Sequence, residues 1–447
     1  MTNARRIVFG LAMVSALVLA ALWMRSIAVN AALHAQAFDA LGAASQALVL
    51  ALLGLLVLLG CRHLVMLGLA AWDHATQVPP PETPAGRLPF VSIIVPAFNE
   101  AGMIAAVLES LLRVRYPRFE VIVVDDGSSD QTFLQALPFR RRRGVQYRVL
   151  AKANGGKFDA LNHGLAHARG EIVVCIDGDS ILHPDALRHC VAHFEDPRVG
   201  AVAGNVRVAN RGSLWSMLQA LEYMVGYGLA KRAQSAARVV TIVPGPLGAF
   251  RKRALAQAAG YDGDSFAEDF DLTMKLLGAG WHVAYEPRAV VYTEAPERAL
   301  ELLRQRYRWT RGSLQVLRKR ARWLGFPPSD ALRFAGAWYV ALECLALPGL
   351  HVGAQVLFVT GGLWLGVHLL VVCWWLQLVL LECAVVAFCA AVEEDSPWLV
   401  LAAPLYRTFY MLVLDVARLL ATLEELKGAA MGWDKLARLG RLAQARS

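Results

Sequence analysis

Two aspartates with one glycine between them, Asp177 and Asp179, close an apolar run in the stretch EIVVCIDGDSIL, residues 171–182. Carboxylates so close together in a turn suit a hard divalent cation, because Mg2+ takes one or two carboxylates and completes its shell with phosphate oxygens and water. Gly178 lets the backbone approach a ligand where a side chain would stand in the way. Further chemistry-bearing stretches are PAFNE (96–100), DDGS (125–128), NGGKFDALNHG (154–164), FAEDFDL (266–272) and RQRYRWTRG (304–312). In the third of these, Lys157 stands with glycines at a predicted helix start, where N–H groups and an ammonium could meet an anion. It is not a Walker A loop, whose G-x-x-x-x-G-K-S/T spacing is absent.

Taken singly, each stretch has a plainer reading. An aspartate after a strand can be a turn or helix cap. EDFDL can be an acidic first helical turn that favours the macrodipole. RQRYRW can be a basic amphipathic helix on a membrane surface. What decides between readings is whether the fold gathers them.

Apolar, β-branched runs at 91–96, 119–124, 147–150 and 171–176 alternate with helix-like stretches at 101–113, 130–137 and 157–168. This alternation predicts an α/β fold, a mostly parallel sheet covered on both faces by helices. Glycine, proline and aspartate after each run favour strands over buried helix. In such sheets ligands bind outside the carboxyl ends of the strands. Three of the predicted strands end there in PAFNE, DDGS and IDGD, which turns three isolated polar endings into one candidate site.

The rest of the chain is unlike this segment. Hydrophobic residues make up 56% of it and charged residues only 18%, which points to a membrane protein. Residues 7–23 and 43–61 are apolar runs close to the ~20 residues a helix needs to cross a bilayer. Arg5 and Arg6 before the first run and Arg62 after the second orient both flanking segments to the cytoplasm. A cleaved signal peptide is the rival for the first run and leaves the later topology unchanged. Further candidates lie at 331–350, 352–371, 372–392 and 399–420, the last carrying Arg407, Asp415 and Arg418 and therefore expected to face protein or line a path. The expected organisation is an N-terminal membrane region at 1–72, a proline-rich linker at 73–89, an α/β domain at 90–296, interfacial helices at 297–330, a membrane region of three or four spans at 331–422 and a basic cytoplasmic tail at 423–447. The net charge of +9 could serve lipid, phosphorylated substrate or nucleic acid. FRRRRG at 139–144 comes with no nucleic-acid recognition module, so no nucleic-acid partner is expected. The seven cysteines show no metal-binding spacing and read as buried thiols of a reducing compartment.

The order VSIIVPAFNE, VIVVDDGSSD, GGKFDALNHG, IDGD, AED, QRYRW over residues 90–320 resembles the membrane-embedded processive glycosyltransferases of family 2, among them the cellulose, chitin and hyaluronan synthases. Chain length, two N-terminal spans and the QRYRW variant look most like the poly-β-1,6-N-acetylglucosamine synthase subgroup. The resemblance implies a GT-A-like, Rossmann-like domain flanked by transmembrane helices.

It also implies roles, residue by residue. Asp125 would meet the uracil of a UDP-sugar, with Pro96, Ala97, Glu100, Lys157 and Asp177 around the nucleotide. Asp177 and Asp179 correspond to the DxD pair that holds Mg2+ or Mn2+, Asp179 more directly. Glu268 and Asp269 match the catalytic TED element, Asp269 being the general base; its usual Thr is Ala267 here, which removes a hydroxyl and leaves the carboxylate. Gln305 and Arg308 would meet the diphosphate, and Trp309 would stack on the acceptor sugar. Inverting displacement needs just these two sides, a base for the acceptor hydroxyl and electrophilic stabilisation of the departing diphosphate.

The expectation is thus an inverting β-glycosyltransferase of the bacterial inner membrane, multi-pass, with a cytoplasmic site. It would extend a poly-β-1,6-N-acetylglucosamine-like glycan from UDP-N-acetylglucosamine and couple synthesis to translocation. Expected partners are the UDP-sugar, the growing glycan, membrane lipid, a small accessory membrane subunit and export proteins. Single-sugar transfer to a lipid or short acceptor is the enzymatic alternative, and a nucleotide-sensing transporter or channel is the alternative of another class.

Overall fold

The computed structural model describes residues 21, 25, 42–77, 88–141, 145–325, 331–365 and 368–428. The candidate span at 7–23, most of the proline-rich linker and the basic tail beyond 428 lie outside them. The chain divides into two units. One comprises the stretch up to Thr76, Met224–Ala236 and Leu342–Leu423; the other comprises Gln77–Tyr223, Ala237–Ala341 and the residues from Glu424.

The second unit is built on one eight-stranded sheet. Its strands are β1 (Val91–Ala97), β2 (Phe119–Asp125), β3 (Gln146–Ala151), β4 (Ile172–Cys175), β5 (Ser180–Leu182), β6 (Val199–Val208), β7 (Gly248–Arg251) and β8 (His282–Thr293), in the order β3-β2-β1-β4-β7-β6-β8-β5. The four strands expected from the apolar runs are β1 to β4, and their mutual pairings are all parallel. β6 and β8 also pair parallel, whereas β7 runs antiparallel to β4 and β6, and β5 antiparallel to β8. Every residue of β1, β2 and β4 is buried, the signature of parallel strands covered on both faces. The helix Lys157–His167 presses so tightly on this sheet that a Cβ at Gly164 would stand 2.5 Å from Ile94 Cγ2.

Register is what positions the site. Ala97 pairs with Asp125 across β1 and β2, Asp125 with Ala151 across β2 and β3, and Ile94 with Cys175 across β1 and β4. The carboxyl ends of β1, β2 and β3 therefore lie level, while β4 stops opposite Ile94, so that the residues following it run beside the last residues of β1 to the same edge.

The first unit is helical. The run expected to end at Arg62 continues as one helix, Ala43–Thr76, because the residues after Arg62 are again mostly helix formers without glycine pairs or proline to stop them. Among the described residues, three helices are long and apolar enough to cross a membrane: Phe334–Thr360, Val372–Val392 and Pro397–Leu426. The candidates at 331–350 and 352–371 are thus not separate, since the helix Leu347–Leu365 runs through their boundary and continues the helix from Ala331 past a π-turn at Leu342–Ala346. Several charges in this unit are paired: buried Arg232 lies 3.5 Å from Asp73 and 3.3 Å from Glu393, and half-buried Glu343 accepts from Arg62.

Candidate active site

Gly178 explains the spacing of the two aspartates. A Cβ there would stand 3.0 Å from the Pro96 carbonyl oxygen, 3.2 Å from Glu100 Cγ and 3.6 Å from Ala97 Cα. The loop after β4 is thereby laid against the end of β1, so Asp177 and Asp179 flank a backbone-to-backbone contact that a side chain would break. Asp179 is buried, with Ser180 Oγ donating to its Oδ1 at 3.1 Å.

Lys157, the first residue of its helix, connects the DxD turn to the AED segment. Its Nζ lies 2.7 Å from Asp177 Oδ1 and 3.0 Å from Glu268 Oε1. Burial works against the ammonium, but Asp177, Glu268 and Asp269 together outweigh it and hold the Lys157 pKa well above its ordinary value. For Asp177, burial pushes the carboxyl above the usual range, Lys157 opposes that, and the neighbouring charge of Asp179 adds to it. Asp269 is pushed up to about 6, by burial first and then by Glu268, with Lys157 opposing. Its Oδ1 accepts from its own helix at Phe270 N, 2.7 Å, while Oδ2 receives only a long contact from Gly245 N, 3.3 Å.

Gly245 carries no motif of its own in the sequence. A Cβ on it would stand 2.7 Å from Lys157 Nζ and 3.2 Å from Asp177 Oδ2, so the P-G-P turn at 244–246 must be bare to let Lys157, Asp177 and Asp269 meet. The only local hint is a glycine between two prolines.

The two aspartates after β2 divide their work. Asp125 is buried; Ser128 N donates to its Oδ2 at 3.3 Å, and its Oδ1 has no donor among the described residues. Asp126 instead secures the glycine loop. Gly155 N and Gly156 N donate to its two oxygens at 3.0 and 2.8 Å, and Lys152 Nζ to Oδ1 at 2.7 Å. Gly156 has φ +90°, a left-handed conformation that favours glycine, and it leads directly into Lys157.

The helix Ala299–Lys319 carries QRYRW. Gln305 and Arg306 are buried, Arg308 is half-buried, and Trp309 is 40% exposed. Arg306 donates to Gln305 Oε1 and Glu222 Oε2, both at 2.6 Å, and its guanidinium lies 4.2 Å from the Trp309 ring centroid. Arg306 thus organises the motif, a part that residue spacing alone does not reveal. The helix meets the AED segment through Gly312 and Gln315: Phe266 N donates to Gln315 Oε1 at 3.1 Å, and a Cβ on Gly312 would lie 2.8 Å from Ala267 N.

A second acidic group, Asp262, Asp264 and Asp271, has the clustering of a metal site. Lys319 Nζ lies 2.7 Å from a carboxylate oxygen of each, so an ammonium already supplies the counter-charge. The DxD turn is likewise met by an ammonium, Lys157 on Asp177, and differs in that both of its carboxylates line the edge where the strands end, with the charge of Asp179 raising the cost of ionising Asp177.

Comparison with known proteins bears on the family and the fold. The sequence profile described as "Glycosyltransferase like family 2" matches residues 89–312. Poly-beta-1,6-N-acetyl-D-glucosamine synthase of Staphylococcus epidermidis is 34% identical over 228 residues, covering 51% of this chain and 55% of that protein. The enzyme of the same name from Staphylococcus aureus is 32% identical over 238 residues, covering 53% and 58%. The aligned region spans little more than half the length of these curated relatives. A mannosyltransferase from Pyrobaculum calidifontis, solved with GDP-mannose and Mn2+, superposes with a TM-score of 0.62 at 24% identity, covering 86% of this chain and 99% of that one. That likeness establishes the fold as GT-A-like. With the profile covering the sheet, the DxD turn, the AED segment and the start of the QRYRW helix, this chain belongs to the glycosyltransferase-like family 2.

Proposed function

We propose that the chain is an inverting, metal-dependent β-glycosyltransferase that adds N-acetylglucosamine from UDP-N-acetylglucosamine to a growing poly-β-1,6-linked glycan. The observation that carries this reading is the contact of one lysine, Lys157, with Asp177 and Glu268, from the DxD turn and the AED segment, beside a buried carboxyl, Asp269, poised near 6. The names of the staphylococcal relatives support the sugar and the linkage.

In this reading Asp125, at the level of Ala97, receives the uracil N–H on its unpartnered Oδ1, with Pro96, Ala97 and Glu100 forming the wall beside it. Asp179 and Asp177 hold Mg2+ or Mn2+, which when bound supplies electrophilic stabilisation of the leaving diphosphate. Lys157, Gln305 and Arg308 add positive charge and donors on the same side, and Arg306 keeps Gln305 in place. Asp269 takes the proton of the acceptor hydroxyl as that oxygen attacks the anomeric carbon. A pKa near 6 leaves it unprotonated at neutral pH yet basic enough to accept. Trp309 offers a flat exposed ring on which the acceptor end can stack between additions. The apolar helices would hold the enzyme in the bacterial inner membrane with this site in the cytoplasm, where UDP-sugars are made, and glycan export would follow with accessory membrane subunits.

The test is to incubate membranes containing the full chain with a panel of labelled UDP-sugars and to digest the product with linkage-specific glycosidases. Polymer formed from UDP-N-acetylglucosamine and cleaved only by a β-1,6-specific hexosaminidase is expected. Incorporation of a different sugar, or a product resistant to that enzyme, would overturn the assignment.

A further inference from the structure

The helical unit contains an open cavity whose lining includes none of the residues assigned above to sugar transfer. It is lined by Leu55 and Leu59 from the long first helix, His351, Gln355 and Phe358 from the first of the three apolar helices, and Arg407 and Asp415 from the third, among others. Its walls are apolar except at one place, where His351, Gln355, Arg407 and Asp415 converge. Apolar walls with a few convergent polar groups are the make-up of a small-molecule site.

The polar groups are not equivalent. Asp415 is fully engaged, accepting from His351 Nδ1 at 2.9 Å and from Arg418 Nη1 at 2.8 Å. This pair fixes the imidazole, and His351 Nε2 is left buried with no hydrogen-bond partner among the described residues. Arg407 lines the same cavity and makes no ion pair or hydrogen bond with any described residue. Glu382 is near enough to Arg407 and Arg62 to act with them electrostatically, yet it stands beyond ion-pair distance of both. Arg407 also sits in a π-turn, Tyr406–Tyr410, a local widening of helix that recurs at functional sites. An arginine in an apolar helix is costly unless an anion meets it.

We propose that this cavity binds the phosphate headgroup of an amphiphile. Arg407 donates to the phosphate oxygens and Gln355 adds a neutral donor, with His351 Nε2 as the third polar group facing the headgroup, while Leu55, Leu59, Phe358 and Met411 hold the first part of the apolar chain. A phosphate fits better than a carboxylate or a sugar hydroxyl, because the donors converge from two helices and can be shared among several oxygens.

The experiment uses the full chain purified in an uncharged detergent and three probes: dioctanoyl phosphatidic acid, dioctanoylglycerol with no phosphate, and inorganic phosphate with no chain. Affinity is read by native mass spectrometry and by titration of thermal stability. Phosphatidic acid is expected to bind at least about tenfold more tightly than either other probe, and Arg407→Gln to lose about tenfold of that affinity. Glu382→Gln, which removes a nearby negative charge, is expected to tighten it. Should Arg407→Gln alone fail to fold, the Glu382→Gln/Arg407→Gln double variant removes both charges and is expected to show the same loss. Equal binding of dioctanoylglycerol, equal binding of inorganic phosphate, affinity indifferent to Arg407, or weaker binding in Glu382→Gln would each overturn the proposal.

Discussion

Gly312 has no room for a side chain: a Cβ there would lie 2.8 Å from Ala267 N and 2.9 Å from Ala267 Cβ. The helix bearing Gln305 and Trp309 therefore rests backbone to backbone on the residue just before Glu268 and Asp269. Two motifs separated in sequence are held at a fixed distance by the absence of a methyl group.

Gly312→Ala is accordingly expected to push the helix away from the AED segment. Overpacking of this kind costs about 1–3 kcal/mol, and transfer should fall far more than UDP affinity. Gly212→Ala, at a position with nothing within 4 Å, should change neither and serves as the control. The pair is read by sugar transfer, UDP binding and melting temperature; unchanged transfer in Gly312→Ala would remove the positioning role.

The pH profile tests Asp269. A base must be unprotonated, and the Asp269 pKa is raised to about 6, so kcat is expected to fall as pH drops through that value. Lys157 lowers this pKa, hence Lys157→Gln should move the acidic limb to higher pH as well as reduce the rate. Asp269→Asn should keep UDP binding and lose transfer, because the missing proton acceptor matters only when the hydroxyl attacks. A limb near the ordinary carboxylate value of about 4, or collapse of UDP affinity in Asp269→Asn, would assign the residue elsewhere.

Metal dependence tests Asp179. EDTA should silence the enzyme and Mg2+ or Mn2+ restore it, while Asp179→Asn should abolish transfer in protein that still inserts into membranes. Asp262→Asn, by contrast, alters the group that Lys319 already neutralises and should leave the metal requirement as it was. Metal-independent turnover by the wild type would sink the DxD assignment.

Product length tests Trp309. Trp309 is 40% exposed and its ring is backed by the Arg306 guanidinium, so Trp309→Ala removes a stacking surface without opening the core. UDP affinity should stay within about 1 kcal/mol, whereas long polymer should give way to free sugar or short oligosaccharides on a sizing gel. Polymer of normal length made at a normal rate would leave Trp309 a simple interfacial anchor.

The sequence displays local order and hides long-range contact. β1 to β4 are legible because each is an apolar run bounded by turn residues, and the polar endings of β1, β2 and β4 mark the binding edge. β6 and β7 carry no comparable signal: VGAVAGNVRV is rich in alanine and glycine, GAFR is only four residues long, and their antiparallel pairing depends on a chain reversal that no periodicity encodes. The Ala43–Thr76 helix runs past its expected end because a single arginine stops a membrane span without stopping a helix.

By itself, then, the sequence determined which residues could do the chemistry and on which edge of the sheet most of them emerge, since strand period and turn composition are properties of neighbouring residues. Only the tertiary structure decided which of them meet. Gly245 beside Lys157 and Asp177, Asp126 on the Gly155–Gly156 amides, Gly312 on Ala267, and Lys319 among three aspartates are contacts between segments far apart in the chain. They exist because packing brings backbones within van der Waals reach and buries charges that must then find partners, and that outcome depends on the whole fold rather than on any one stretch.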